Sequence, residues 1–398
     1  MPNIVLDNGA YTLKVGRGED DGPRIIPNCI SRCKSERRRN FIGDQIEECK
    51  DLSGVYYLMP FQKGYLVNWD TQRQVWDYVF GAEVLKINPD DCHLVFTEPV
   101  FNFPSIQEAL SEIFFEEYAF NSLTCTTTPT LANLHYTSTN PSPLCTLVVD
   151  TGFSFTHIVP HYGGRVVPGG VVRVDVGGKL LTNHLKEIVS YRQLQVMDET
   201  HVMNQVKEDV CYVTQDFYGD MEVAKRKGES NTIVQEYVLP DYSARRRGFV
   251  RPPCATAKAN AAADEQCLRL SNERFSIPEI LFHPSDIGLS QMGIPEAVVH
   301  SVSLTPKEMH PHLYGNILVV GGNTLFPGFY ERLVADIRKL VPDDYDINLC
   351  IPKNPIGYSW LGGRLASDNL PQVSQAEYKE HGHSICHRKF VKAQTWEP

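Results

Sequence analysis

The apolar positions of the chain follow two rhythms. Short apolar runs that end in turn residues predict buried strands at Ile4–Leu6, Leu94–Thr97, Leu147–Val149 and Ile317–Val320, with a further strand at Val171–Val176. Spacings of three and four predict helices. Val75, Tyr78 and Val79 share one face, and Leu180, Leu181, His184, Leu185, Ile188 and Val189 share another. Leu333, Ile337 and Leu340 point inward from a third helix, and a fourth, through Val206–Tyr212, carries Lys207-Glu208. Ser105-Ile106-Gln107-Glu108 reads as a capping box that opens a helix through Phe115. The polar run Thr124–Thr130 reads as broken at Pro129. Residues 1–30 read as a strand meander, and residues 31–50, with Arg37-Arg38-Arg39, as an exposed loop.

One pattern occurs twice. Leu147–Pro160, LVVDTGFSFTHIVP, is an apolar run, a turn carrying Asp150 and Gly152, and a second apolar run. Ile4–Val15, IVLDNGAYTLKV, has the same form and puts Asp7 on Asp150, Gly9 on Gly152 and Lys14 on His157. A glycine turn lets backbone N–H groups approach an anion, and an aspartate can hold a hydrated Mg²⁺. Two such hairpins facing each other would grip a polyphosphate from both sides. Two ordinary buried hairpins would also contain such turns, but the matching Asp-x-Gly favours a shared ligand. A third glycine turn, Gly321-Gly322, lies between the strand Ile317–Val320 and a helix, a geometry that suits anions.

At 398 residues the chain is too long for one core, which predicts two domains, and Asn140-Pro141-Ser142-Pro143 marks the boundary near residue 140. The formal charge of −10 argues against non-specific nucleic-acid binding through a basic face. No run is long enough to span a bilayer, Ile4–Leu6 is too short for a secretory h-region, and no membrane partner is expected. Eleven cysteines without framework spacing predict free thiols in a reducing compartment. His381, His383, Cys386 and His387 are too close together to close a tetrahedral metal site alone, so no metal ligands are assigned. Ala244–Gln266 changes composition abruptly and reads as an inserted surface loop without its own core.

With these blocks in order, the chain resembles the actin family. The similarity runs from Ile4–Val15 to Glu377–Phe390, EYKEHGHSICHRKF, by way of Val67–Asp70, Asp150–Pro160, Lys207–Tyr212, Asn272–Phe275, Val319–Gly328 and Gly357–Ser367. The resemblance implies an α/β, actin-like (ribonuclease H-like), duplicated two-domain fold around a central cleft, as in sugar kinases and heat-shock chaperones. Residues 1–140 plus 341–398 would form the first domain, and residues 141–340, with the insert 244–266, the second. Phe61–Tyr78, His184–Leu194 and Met197–Val213 point more closely to the nuclear actin-related proteins. That likeness implies a structural subunit of an ATP-dependent chromatin remodeller that exchanges a variant histone into nucleosomes. Its partners would be the remodelling ATPase and other subunits, with nucleosome or histones reached indirectly. It would reside in the nucleus, with the cytoplasm as a second location, and would form no homopolymer: the segment Ile42–Ser53, which matches actin's loop at the tip of the first domain, looks shorter.

The resemblance implies ATP or ADP with Mg²⁺ as cofactor. Asp7, Gly9, Lys14, Asp150, Gly152, His157, Lys207, Glu208, Gly321 and Gly322 stand where the family binds nucleotide. Lys14 would meet a phosphate, Asp7 and Asp150 a hydrated Mg²⁺, and Lys207 and Glu208 the base or ribose. The departures argue against turnover, and no catalytic residue is assigned. Ala10 replaces the serine of the first phosphate loop and Tyr11 the glycine after it. Phe153 replaces the second aspartate of the second loop, Ser154 the next glycine, and the water-positioning glutamine falls at or beside Pro129. The balance favours weak nucleotide binding without turnover; an empty, purely structural cleft, an actin-fold ATPase or sugar kinase, and a filament-forming actin stay as alternatives.

Overall fold

Each repeated hairpin begins a sheet. The computed structural model describes residues 1–36, 38–140, 143–252 and 265–396. In the first lobe Asn3–Asn8 pairs antiparallel with Thr12–Arg17 and parallel with His93–Glu98, so that Ile4 lies opposite Leu94. Ser122–Thr127 and then Val373–Ser374 extend this sheet on one side, and Arg24–Pro27 closes the other. The second lobe repeats the plan. Cys145–Thr151 pairs antiparallel with Thr156–Tyr162 and parallel with Ile317–Val320, and Leu147 lies opposite Ile317. Leu349–Cys350 extends this sheet.

Strand alternation explains why both faces of these sheets are apolar. Ile4 and Leu6 enter one core with Leu94 and Phe96, whereas Val5 and Val95 face the other way onto Leu131, Trp360 and Ala366. In the second lobe Leu147 and Val149 enter the large core, and Val148 turns to Ala132 and Tyr136. The helix Thr128–Thr139 therefore serves both lobes. It packs on Tyr358–Gly363 so closely that a Cβ on Gly362 would come 1.8 Å from the Leu131 carbonyl oxygen. This helix pair is the join around which the cleft forms.

Several expectations need correction. The helix at residue 105 starts at Pro104, with Phe103 as its N-cap and no side-chain cap; proline suits this first position because the N–H it lacks would be unpaired there anyway. Ser105 is inside it and forms no capping box. Pro129 likewise opens a helix instead of breaking a segment. The threonines before it form a buried strand, where Thr124 donates to the Pro371 carbonyl at 3.2 Å and Thr126 to Gln394 at 2.6 Å. The stretch 31–50 is more than a loop: Cys33, Phe41, Ile46 and Cys49 form a small core with Val55. Leu340 ends its helix and is 46% exposed, while Leu333 and Ile337 are fully buried. Leu349–Cys350 belongs to the second sheet, so the chain leaves that lobe later than residue 341.

The insert 244–266 is anchored at its edges. Phe249–Val250 and Cys267–Leu270 both pair with Gln235–Val238, and Arg251 binds Glu236 at 2.8 Å and Glu265 at 2.7 Å. Residues 253–264, Pro141-Ser142 at the expected boundary, and Arg37 of the arginine triplet lie outside the described residues. Every described cysteine is free, and no described helix is long and apolar enough to cross a membrane.

Candidate functional site

The hairpin turns face each other across the cleft. In the first, Asp7 lies opposite Lys14; in the second, Asp150 lies opposite His157, so the positions matched in sequence are also matched in register. Asp7 is buried and accepts from Thr97 Oγ1 at 2.8 Å and Thr128 Oγ1 at 3.3 Å. Its Oδ2 has no hydrogen-bond donor and lies 3.3 Å from Lys14 Nζ. Burial pushes the Asp150 carboxyl up to about 7, the nearby Asp7 charge adds to this, and Lys14 opposes it. Burial pushes the His157 imidazole down to about 3, with Arg173 adding to the effect, and its Nε2 has no partner.

The glycine turns complete the frame. A Cβ on Gly9 would approach the Thr12 carbonyl to 2.6 Å, so the tight turn requires glycine there. Gly321 has φ +102, and a Cβ on it would meet the Thr151 carbonyl at 2.1 Å. The next side chain, Asn323, donates to the Gly152 carbonyl at 2.8 Å and thereby fixes the third glycine turn to the second hairpin. All ten residues matched to the family's nucleotide site, Asp7, Gly9, Lys14, Asp150, Gly152, His157, Lys207, Glu208, Gly321 and Gly322, line one cavity of about 430 Å³. Pro129 and Thr128 line it as well, at the start of the helix that joins the lobes.

Two replaced residues meet. Tyr11 from the first phosphate loop stacks on Phe153 from the second, with ring centroids 4.7 Å apart and planes 22° apart. The Tyr11 hydroxyl accepts from Asn204 Nδ2 at 3.2 Å, and burial together with the Glu208 charge keeps the phenol protonated. The resemblance to actin marks both residues as replacements but gives no sign that they touch. It also misses Asn204, which sits one helical turn before Glu208 on Thr200–Val210 and donates to it at 2.7 Å. Lys207 is occupied within the protein: its ammonium donates to Asn204 Oδ1 at 2.9 Å, Thr182 Oγ1 at 3.0 Å and the Gly178 carbonyl at 3.3 Å. Burial pulls its pKa down.

Do these residues fit Mg²⁺ and a nucleotide? The floor does: a buried Asp7 oxygen without a donor, beside a second carboxylate and an ammonium, is suited to a hydrated cation. The phosphate loops do not. A triphosphate needs both of them, and in this conformation an aromatic pair spans the gap. The amine that would reach toward base or ribose has its three donors in use.

Comparison with known proteins agrees with this frame. The family model described as Actin matches residues 1–391. A Drosophila melanogaster protein named actin-related protein 6 is 47% identical over 95% of this chain and 97% of its own length. The actin-like protein ARP6 of Cryptococcus neoformans is 42% identical over 98% of this chain and 84% of its own. The Oryza sativa actin-related protein 6 is 36% identical over 97% and 98%. With a family match over residues 1–391, the duplicated hairpin sheets and a shared cleft, the chain belongs to the actin family and has actin-related protein 6 proteins among its relatives.

Proposed function

We propose that this chain is a non-catalytic actin-related subunit of an ATP-dependent chromatin-remodelling complex of the SWR/SRCAP type, which exchanges a variant histone into nucleosomes. The observation that carries the non-catalytic part is the Tyr11–Phe153 stack, an apolar bridge between the two turns that would have to hold phosphates. Pro129 strengthens the reading, because it lies in the cleft at or beside the position of the water-orienting glutamine and has no polar side chain. The remodeller role rests on similarity to the actin-related protein 6 relatives. On this reading the chain works in the nucleus, docks onto the remodelling ATPase and other subunits, reaches nucleosomes indirectly, and at most retains weak ATP or ADP binding. The retained Asp7, Lys14 and Asp150 favour an actin-fold ATPase as the second reading.

Two measurements test the proposal. Single-turnover phosphate release from Mg-ATP should stay at the buffer rate, and a rate like that of a conventional actin would overturn the non-catalytic reading. The native protein should co-purify from nuclear extract with a remodelling ATPase. Its recovery as a free cytoplasmic monomer would overturn the subunit assignment.

A further inference from the structure

The mouth of the cleft is crossed by contacts that the nucleotide-site residues do not explain. The small core around Phe41 and Val55 belongs to the first lobe and reaches over to the second. Tyr57 Oη lies 2.8 Å from His201 Nδ1. The Gly54 N–H points between both Glu199 carboxylate oxygens, at 3.0 and 3.1 Å. Arg246 donates to the carbonyls of Glu47 and Cys49. Deeper in, Arg173 donates to the Tyr65 hydroxyl at 2.6 Å and lies over the Phe155 ring. That ring fills the space a side chain at Gly64 would need: a Cβ there would lie 1.7 Å from it, and Gly64 has φ +78.

We propose that the two lobes are held shut by a latch built from the chain itself, so that closure of the cleft does not depend on a nucleotide. In a cleft closed by its ligand, the lobes face each other through that ligand, and its loss removes the closing contacts. Here the lobes touch directly at the mouth, through a tyrosine–histidine hydrogen bond, a carboxylate clamped on a backbone N–H, and an arginine on two backbone carbonyls. Hydrogen bonds that involve an ionised partner are the stronger kind, and two of these three do. At the centre, the Tyr11–Phe153 stack adds an apolar contact between the lobes. The latch goes beyond the non-catalytic reading, because a chain could lack turnover and still open freely.

Hydrogen exchange on the full-length protein tests this without added ligand. Peptides covering 54–58 and 199–205 should be protected in the nucleotide-free protein, and Mg-ATP should not change that protection. Glu199→Ala, and separately Tyr57→Phe combined with Arg246→Ala, should raise exchange at 54–58 at least tenfold. The strands His93–Glu98 and Cys145–Thr151 should stay protected in both variants, which shows that they fold. Fast exchange at the mouth of the wild-type protein, relieved only by Mg-ATP, would overturn the latch, as would variants that leave protection unchanged. Phosphate release measured on the same samples separates the two ideas: turnover by a protein with a protected mouth would refute the non-catalytic reading and leave the latch standing.

Discussion

At the scale of single residues, the contrast lies between the floor of the cleft and its loops. The floor holds Asp7, Lys14 and Asp150, while the turns carry Tyr11 and Phe153 where the resemblance to actin implies a glycine and an acid; their stack contributes about 1 kcal/mol to the folded state. If that stack is what excludes phosphates, its removal should admit them. Tyr11→Gly with Phe153→Asp should therefore raise Mg-ATP affinity at least tenfold in equilibrium dialysis, about 1.4 kcal/mol; unchanged affinity would mean that the barrier lies elsewhere. Asp150 gives a second prediction. Its folded-state pKa of about 7 lies above the ordinary 3.8, so between these values the folded protein holds a proton that the unfolded chain releases. Stability then falls as pH rises through that window, and the penalty is complete above it. In Mg²⁺-free buffer, Asp150→Asn should be more stable than wild type at pH 8, on the order of 2 kcal/mol after relaxation around the charge, and the two should converge near pH 4. Denaturant midpoints across the range would check both ends.

At the scale of elements, His93 and His161 are buried on strands, as is His157, and burial pushes the three imidazoles down to about 4, 4 and 3 respectively. The sign is opposite to that of Asp150. Below the ordinary 6.5 the unfolded chain takes up protons that the folded strands refuse, so this contribution is intact above 6.5 and is lost as pH falls toward 4. His161→Leu should remove up to one proton from the slope of unfolding free energy against pH, about 1.4 kcal/mol per pH unit, and chemical denaturation between about pH 4.5 and 6 reads it directly. What the sequence reveals also belongs to this scale. The two hairpins, their glycine turns and the helix faces at Val75 and Leu185 are legible because each depends on neighbours along the chain. The small core of Cys33, Phe41, Ile46, Cys49 and Val55 escapes notice because its apolar residues are spread among polar ones with no regular period. The Tyr11–Phe153 stack and the Tyr57–His201 bond escape for another reason: each joins distant segments, 144 residues apart in the second case, and no local pattern encodes which turn faces which.

At the scale of the whole molecule, the question is which surfaces remain free to build an assembly of like chains. The segment Ile42–Ser53, which the resemblance to actin matches to the loop at the tip of the first domain, has its backbone engaged internally. Gly43–Glu48 forms a short helix whose Ile46 joins the small core, and the carbonyls of Glu47 and Cys49 accept from Arg246 of the opposite lobe. The tail near residue 395 is engaged too. Gln394 accepts from Thr126 at 2.6 Å on the first sheet, while Trp396 donates its backbone N–H to the Val166 carbonyl at 2.8 Å on the second and packs by Tyr162. A filament contact through either segment would first have to break these bonds, and each exchanged hydrogen bond recovers only about 1 kcal/mol net. The protein is therefore expected to stay in the supernatant when sedimented in Mg²⁺ and KCl at concentrations that pellet conventional actin. Arg246→Ala, which frees the two carbonyls, is expected to leave that outcome unchanged, because the tail contact would remain. Pelleting of the wild-type chain would show that its free surfaces suffice for a polymer and would remove the argument from internal engagement; pelleting of the variant alone would locate the restraint in that single arginine.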